Sequence, residues 1–333
     1  MDINQIAQMA GVSRATVSRY FNNGYVSEEK RAAIAKVVEK TGYLPSQQAK
    51  TLRTGRTNVV GVIIPKINSA AISRIVAGIS QVLNGAGYQV LLANTDNDAA
   101  KEIQFLQLFQ RTYQVDGVIL TATVLSPEHR KALSELRVPA VVVDQKTAEI
   151  PCVYQDDFAA VYAVTEYVLT TSGNPAYIGV GEDDISAGRM RHAGFISACE
   201  RRGVKVPPEH VVAGDFSFES GYACAGRLME GEGPVDAIVC ATDTIACGAL
   251  AYLRDHGVSV PERVQVTGIG DGDLSRIAVP PLTTVHHHYK TTGAKAAEML
   301  LEYIGGKEDA PRDVAMDFNV VIRSSTRGKS CCE

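Results

Sequence analysis

Hydrophobic positions change their period along the chain. In residues 1–42 they fall at helical spacing: Ile3, Ile6, Ala7 and Ala10 share one face before Gly11 interrupts it. Val17 and Phe21 mark the inner side of a second short segment, and Ile34, Val37 and Val38 stripe a third that Gly42 ends. Ser13 stands where its hydroxyl caps the second segment. Glu28 and Glu29 follow Ser27 into the first turn of the third, where free backbone N–H groups favour acids. The stretch PSQQAKTLRTG (45–55) then offers only about two turns between Ser46 and Gly55, a helix too short to hold in water by itself. Leu52 is its one large apolar residue, and it has no evident core to join.

Beyond residue 57 the pattern becomes one of nearly continuous apolar runs alternating with periodic stretches. VVGVIIP (59–65) precedes ISRIVAGISQVLNGAGY (72–88). YQVLLAN, DGVILTA and PAVVVD follow, separated by helical stretches 99–112 and 127–136. The series repeats with AYIGVG (176–181), a helix over 187–203, HVVAG, a helix over 219–230, DAIVCAT, a helix from 243, and a strand over Val264–Ile269. Strands that are apolar throughout belong to parallel sheets covered on both faces, so the pattern predicts an α/β body of two doubly wound lobes. Such sheets bind ligands beyond the carboxyl ends of their strands, which places one shared cleft between the lobes.

Charge separates the two regions further. Residues 1–56 hold nine Lys/Arg against four acids, a net +5, leaving 24 against 33, or −9, for the rest. A basic head on an acidic body points to a polyanion met by the head alone. The 333 residues suit two or three domains. No run approaches a membrane span, and the first residues, MDINQIAQMAGVS, are not those of a signal peptide. The seven cysteines lack zinc spacing and are expected to be reduced thiols, with Cys331 and Cys332 in a frayed tail.

Helix, glycine turn, helix is the helix-turn-helix pattern, whose second helix enters the major groove. Here that helix presents Arg14, Ala15, Thr16, Ser18 and Arg19, short side chains between two arginines. At these residues, and through GYLPSQQAKTLRTGRTNVVGVIIP, the chain closely resembles the LacI family of bacterial transcription regulators, and the resemblance runs over essentially its whole length. It implies a recognition helix bearing Arg14, Ala15 and Thr16, with Ser13, Ser18, Asn22 and Tyr43 gripping the phosphate backbone. It also implies a hinge helix over 46–53, including Ser46, Gln47, Ala49 and Arg53, whose Leu52 wedges open a central minor-groove step. The implied organisation is a head over 1–45, a hinge over 46–56 and a periplasmic-binding-protein-like effector and dimerisation core over 57–330. Lobe 1 covers about 57–157 and 289–316, and lobe 2 about 158–285 and 317–327.

Candidate cleft residues follow strands. Asp144 ends PAVVVD, Asp243 follows DAIVCAT, and Asp271 follows QVTGIG. Arg191 sits near a helix start, where the helix dipole disfavours a cation, so it requires a partner. Phe216 and Tyr289 offer flat walls. In sugar-responsive members of the family, the positions of Arg191 and Asp271 bind vicinal hydroxyls from opposite lobes. Asp144, Phe216 and Tyr289 line the same pocket, Ser69 lies in the loop after the first strand, and Thr242 and Asp243 follow the fifth. Gly270-Asp271-Gly272 departs from the aromatic residue and two acids common there, which leaves open a pocket enlarged for a disaccharide or a loosened loop.

The resemblance implies a repressor released from pseudo-palindromic operator DNA by a small sugar, working as a cytoplasmic, nucleoid-associated homodimer without cofactor, metal or membrane partner. The alternative is a corepressor ligand, purine-type or a sugar phosphate, that tightens DNA binding. An enzyme acting on the ligand finds no support, since G-x-S-x-G, Walker A and H-E-x-x-H are all absent. GIGDGD does not fit G-x-G-x-x-G. His286 and His288 share a face of an extended crossover without a third zinc ligand, so the three histidines read as polar hinge residues leading to Tyr289.

Overall fold

The computed structural model describes residues 1–22, 24–43, 55–307 and 312–328. The chain divides into two compact units, Met1–Asn58 and Val59–Glu333. The first carries α1 (Ile3–Met9), α2 (Arg14–Phe21) and α3 (Glu28–Thr41). Asp2 and Gln5 close a reciprocal capping box at the start of α1, and the Ser13 hydroxyl accepts from the Thr16 N–H at 3.2 Å to start α2. Gly42, at φ +62°, ends α3 in the left-handed conformation that glycine adopts without steric penalty. Ile6, Ala7, Val17, Val26 and Ile34 form the small buried core. The hinge positions Ser46, Gln47, Ala49, Leu52 and Arg53 lie outside the described residues.

The second unit holds two six-stranded sheets. The first has β1 (Val59–Ile64), β2 (Gln89–Asn94), β3 (Gly117–Thr121), β4 (Ala140–Val143), β5 (Cys152–Gln155) and β11 (Asp313–Met316), ordered β11-β5-β4-β3-β1-β2 and parallel throughout. Its two faces alternate residue by residue, as a pleated strand requires. Val60, Val62 and Ile64 pack under α4 (Ala70–Gly85) and α12 (Tyr289–Ile304). Ile63, Val118 and Leu120 point to the other side, under α5 (Ala99–Leu108) and α6 (Pro127–Ser134). Each fully buried aliphatic side chain stabilises the lobe by roughly 1.5–3 kcal/mol. α4 and α12 cross so closely that a Cβ at Gly78 would sit 1.9 Å from the Lys290 carbonyl oxygen.

The second sheet runs β12-β10-β9-β8-β6-β7, with β6 (Pro175–Val180), β7 (Val211–Gly214), β8 (Ala237–Cys240), β9 (Gln265–Ile269), β10 (Thr283–His287) and β12 (Phe318–Val321). Only β12 runs antiparallel to its neighbour. Around it lie α7 (Asp157–Val168), α8 (Arg191–Arg201), α9 (Phe218–Glu230), α10 (Asp243–Asp255) and the short α11 (Asp273–Ile277). The chain passes between the sheets at Asp156, His288 and Asp317, each crossing a single residue between elements.

Three local expectations need correction. Short β5 and the all-round apolar α7 escape the pattern because neither shows a clean period. The helix expected over 187–203 is a wide π-helical turn, Ile185–Met190, leading into α8. Gly188 presses on the Gly181 carbonyl there, where a Cβ would stand 2.2 Å away. His286 and His287 belong to strand β10 within lobe 2, not to the extended crossover, and only His288 occupies the crossing.

Candidate functional site

In the head, Arg14, Ala15, Arg19 and Asn22 are exposed, whereas Thr16, Ser18 and Tyr43 are half-buried. Two of these residues also shape their own helix. The Ser13 hydroxyl caps α2 and meets the Thr16 hydroxyl at 2.9 Å, and the Asn22 side chain donates to the Ser18 carbonyl at 2.6 Å. Tyr43 sets its ring edge-on to Phe21, 5.7 Å between centroids. α2 thus offers small side chains between two guanidinium groups, Arg14 at its start and Arg19 in its last turn, on a surface fixed from beneath by Val17.

In the second unit, residues at the carboxyl ends of strands of both sheets come together, and hydrogen bonds run from one lobe to the other. Arg191 lies at the floor, 7% exposed, and its Nε donates to Asp157 Oδ1 at 2.7 Å while Nη1 donates to the Ala241 carbonyl. The π-helical turn ahead of α8 removes Arg191 from a bare helix start, and Asp157 supplies the partner that the sequence demands. Burial opposes its charge, but the adjacent Asp157 outweighs it, so Arg191 stays firmly protonated. His287 is fully buried 3.7 Å from the same Asp157 oxygen. Burial holds it down at about 4, so it is a neutral ring. Tyr289 lies buried beside it, its ring centroid 5.5 Å from that of His287, and burial raises the phenol to about 12.

Asp144 enters from lobe 1 in left-handed backbone, φ +68°, which aspartate tolerates better than most residues. Its Oδ1 is buried and has no hydrogen-bond partner among the described residues. Burial, then repulsion from Asp157, push the carboxyl up to about 7, with Arg191 opposing and Asp184 adding to the rise. The Ser186 hydroxyl donates to the Asp144 carbonyl, and the Gln145 amide donates to Asp184 at 3.4 Å, so both residues meet lobe 2.

Asp271 is differently placed. Its Oδ1 takes an Arg323 guanidinium bond at 2.5 Å, and its Oδ2 meets His286 Nδ1 at 2.9 Å and Arg276 at 3.6 Å. Burial alone would raise this carboxyl, but the bonds from Arg323 and His286 outweigh it and hold the group below its ordinary value. Both Asp271 oxygens thus already have partners within lobe 2. Asp243 is likewise engaged, accepting from the Thr284 hydroxyl and from the Gly272 N–H at 3.0 Å, while burial raises it. Ser69 and Thr242 spend their hydroxyls capping α4 and α10. Phe216 stands 38% exposed in the loop between β7 and α9.

The residues that the pattern missed are Asp157, Asp184, His287, Arg323 and Arg74. Asp157 had a signal in the doubled acid QDDF, one of which caps α7 while the other faces inward. The others carry no local signature, because long-range pairing alone brings them to the site. Among the described residues, no cluster of His, Cys, Asp and Glu is arranged to hold a metal ion, and no helix is long and apolar enough to cross a membrane.

Comparison with known proteins decides the family. Residues 2–46 match the bacterial regulatory proteins of the lacI family, and residues 173–326 match a periplasmic binding protein-like domain. The chain is 31% identical to the sucrose operon repressor of Staphylococcus xylosus over 91% of its length and 93% of that protein's. It belongs to the LacI family. It is a DNA-binding transcriptional repressor with a small-molecule effector domain. Other LacI-family relatives include the transcriptional regulator RegA of Clostridium saccharobutylicum, 31% identical over 97% of this chain and 98% of that one. Among solved structures, a CelR–cellobiose complex matches with a TM-score of 0.75 and 27% identity, covering 98% of this chain and 99% of that one. A Lac repressor dimer bound to operator and the anti-inducer ONPF matches with a TM-score of 0.89 at 21% identity, over 98% and 99%, which speaks for the fold.

Proposed function

We propose that this LacI-family repressor is released from its operator by a small neutral sugar held between the lobes. The observation that carries this reading is Asp144: a buried acceptor without a donor, within the field of Arg191 and above the Tyr289 wall. A sugar hydroxyl supplies the missing donor, and Asp144, with protonated and ionised forms in comparable amounts near pH 7, donates or accepts in turn. The named relatives, a sucrose operon repressor and a cellobiose-bound regulator, support the sugar class. Acids predominate at the floor, a setting unsuited to a sugar phosphate.

The protein acts as a twofold dimer on a pseudo-palindromic operator in the bacterial cytoplasm, and it binds its ligand without converting it. Arg14, Ala15, Thr16 and Arg19 read the major groove, Ser13, Ser18, Asn22 and Tyr43 hold phosphates, and the hinge with Leu52 opens the central step. Sugar in the cleft favours the closed lobes, and operator affinity falls by the ratio of the sugar's affinities for the two states. Thermal-shift screening with mono- and disaccharides identifies the ligand, because binding to the folded state raises its stability by mass action. Operator binding followed by fluorescence anisotropy then tests the sign. A sugar that weakens it supports this function. A nucleobase that tightens it while every sugar is silent overturns it in favour of a corepressor.

A further inference from the structure

Arg74 is half-buried on α4 of lobe 1, and its guanidinium reaches into lobe 2. Nη2 donates to the Gly270 carbonyl at 2.7 Å and Nη1 to the Asp271 carbonyl at 3.4 Å, while Nε donates back to Ala70 at 3.2 Å. The guanidinium lies 4.9 Å from the centre of the Tyr289 ring, just beyond the His288 crossing. One side chain thereby touches the ring beside one lobe crossing and the turn on the opposite lobe.

The acceptor is built for this. Gly270 adopts φ +137°, a conformation that side chains rarely enter, and a Cβ there would stand 3.2 Å from Asp243 Oδ2. Its N–H donates to the Val285 carbonyl at 2.7 Å, and the Gly272 N–H donates to Asp243 at 3.0 Å. The turn is held from behind by these bonds and by the pairing of Asp271 with Arg323. Its two carbonyls are thereby left to Arg74. Bonds from a charged fork to fixed carbonyls are stronger than neutral ones, and they are exchanged for water when the lobes separate. We propose that Arg74 and the Gly270–Asp271 carbonyls form an interlobe clasp that sets the balance between the closed and the open cleft. Effector affinity then depends on the clasp, because apparent affinity scales with the fraction of closed molecules. Gly270 serves the clasp, because its backbone adopts a conformation that side chains rarely enter.

The test needs no ligand and stands apart from the sugar reading. Spin labels carried by unnatural residues at exposed Lys131 of lobe 1 and Glu200 of lobe 2 report the interlobe distance by electron–electron resonance. The labelled full-length protein is diluted with unlabelled chain, so that only pairs within one chain report. Arg74→Ala is expected to raise the long-distance population at least about threefold. Arg74→Lys, which keeps the charge but lacks the fork, restores part of the short distance. Gly270→Ala reproduces the widening from the acceptor side, because its Cβ forces the turn to shift. A distance distribution for Arg74→Ala or Gly270→Ala that superimposes on the wild type overturns the clasp.

Discussion

Asp144 and Asp271 occupy matching places on opposite lobes. Each follows a sheet strand into the cleft, and each adopts left-handed backbone, φ +68° and φ +49°. Their chemistry nevertheless diverges. Asp144 meets two other acids and one shared arginine, finds no donor for Oδ1, and rises to about 7. Asp271 meets Arg323, His286 and Arg276 and is held below its ordinary value. The lesson is that the same place at a strand end can leave an acid with or without donors, depending on what its own lobe supplies. Lobe 2 has saturated its acid and uses the backbone of the same turn, and lobe 1 has left its acid open.

The largest break in this contrast comes from removing the arginine that serves lobe 1's acid. Arg191→Ala strands Asp157 at 4% exposure and withdraws the cation opposing Asp144. Breaking a buried pair in this way costs about 3–5 kcal/mol, measured by urea unfolding. Without Arg191 the Asp144 carboxyl, already raised to about 7, loses the cation that opposes the rise. Its folded form then prefers the proton more strongly, and stability is lost as pH rises. The deficit should therefore be larger at pH 8 than at pH 5. A loss that is constant with pH would mean that Arg191 does not act on Asp144.

That asymmetry also marks how far the sequence could be read. The α/β class, two parallel sheets and a helix-turn-helix head follow from periods and caps, which are local. Asp144, Arg191, Asp243 and Asp271 are legible because a polar residue ending an apolar run is conspicuous. Whether each is free or engaged is not legible, since Arg323 lies 52 residues beyond Asp271 and Asp157 lies 34 before Arg191. Arg74 shows the same limit. On its helix it is an ordinary surface arginine, and its acceptors are carbonyls, which any sequence possesses. His287 was read as a polar crossover residue because a strand of five residues with four polar ones carries no apolar run.

Conservative changes at the two acids sharpen the contrast with opposite signs. Asn suits both, since it tolerates left-handed backbone. Asp271→Asn forfeits charge-assisted bonds and should lower stability by about 1.5–3 kcal/mol at pH 7. A carboxyl held below its unfolded value of 3.8 stabilises above that value, and the contribution is lost as pH falls. The two proteins should thus converge in acid, below about pH 3. Asp144→Asn should behave in reverse. A carboxyl at about 7 folded and 3.8 unfolded destabilises progressively as pH climbs from about 4 past 7. The variant should gain about 1–2 kcal/mol at pH 8, after allowance for partial exposure, and match the wild type near pH 4. It should also weaken the sugar response, a trade of function for stability common at binding sites. Two losses of stability, or two gains, would erase the distinction between the lobes.

The smallest expected effect belongs to His286→Gln, and it asks what actually saturates Asp271. His286 is 31% exposed at its side chain and Arg276 is 61% exposed, so water competes for both, whereas Arg323 is 18% exposed and also donates to the Leu282 carbonyl and the Ser275 hydroxyl. Glutamine can still offer an amide N–H to the carboxylate. Urea unfolding at pH 7 should therefore place His286→Gln within about 0.5 kcal/mol of the wild type. Calorimetry with added zinc should give the same trace for both proteins, because no third ligand stands beside His286 and His288 among the described residues. A stability loss as large as that of Asp271→Asn would mean that the carboxylate depends on its partners collectively. Lobe 2's acid would then be closer to lobe 1's than the bond lengths indicate, since removing a single exposed donor would leave it wanting one.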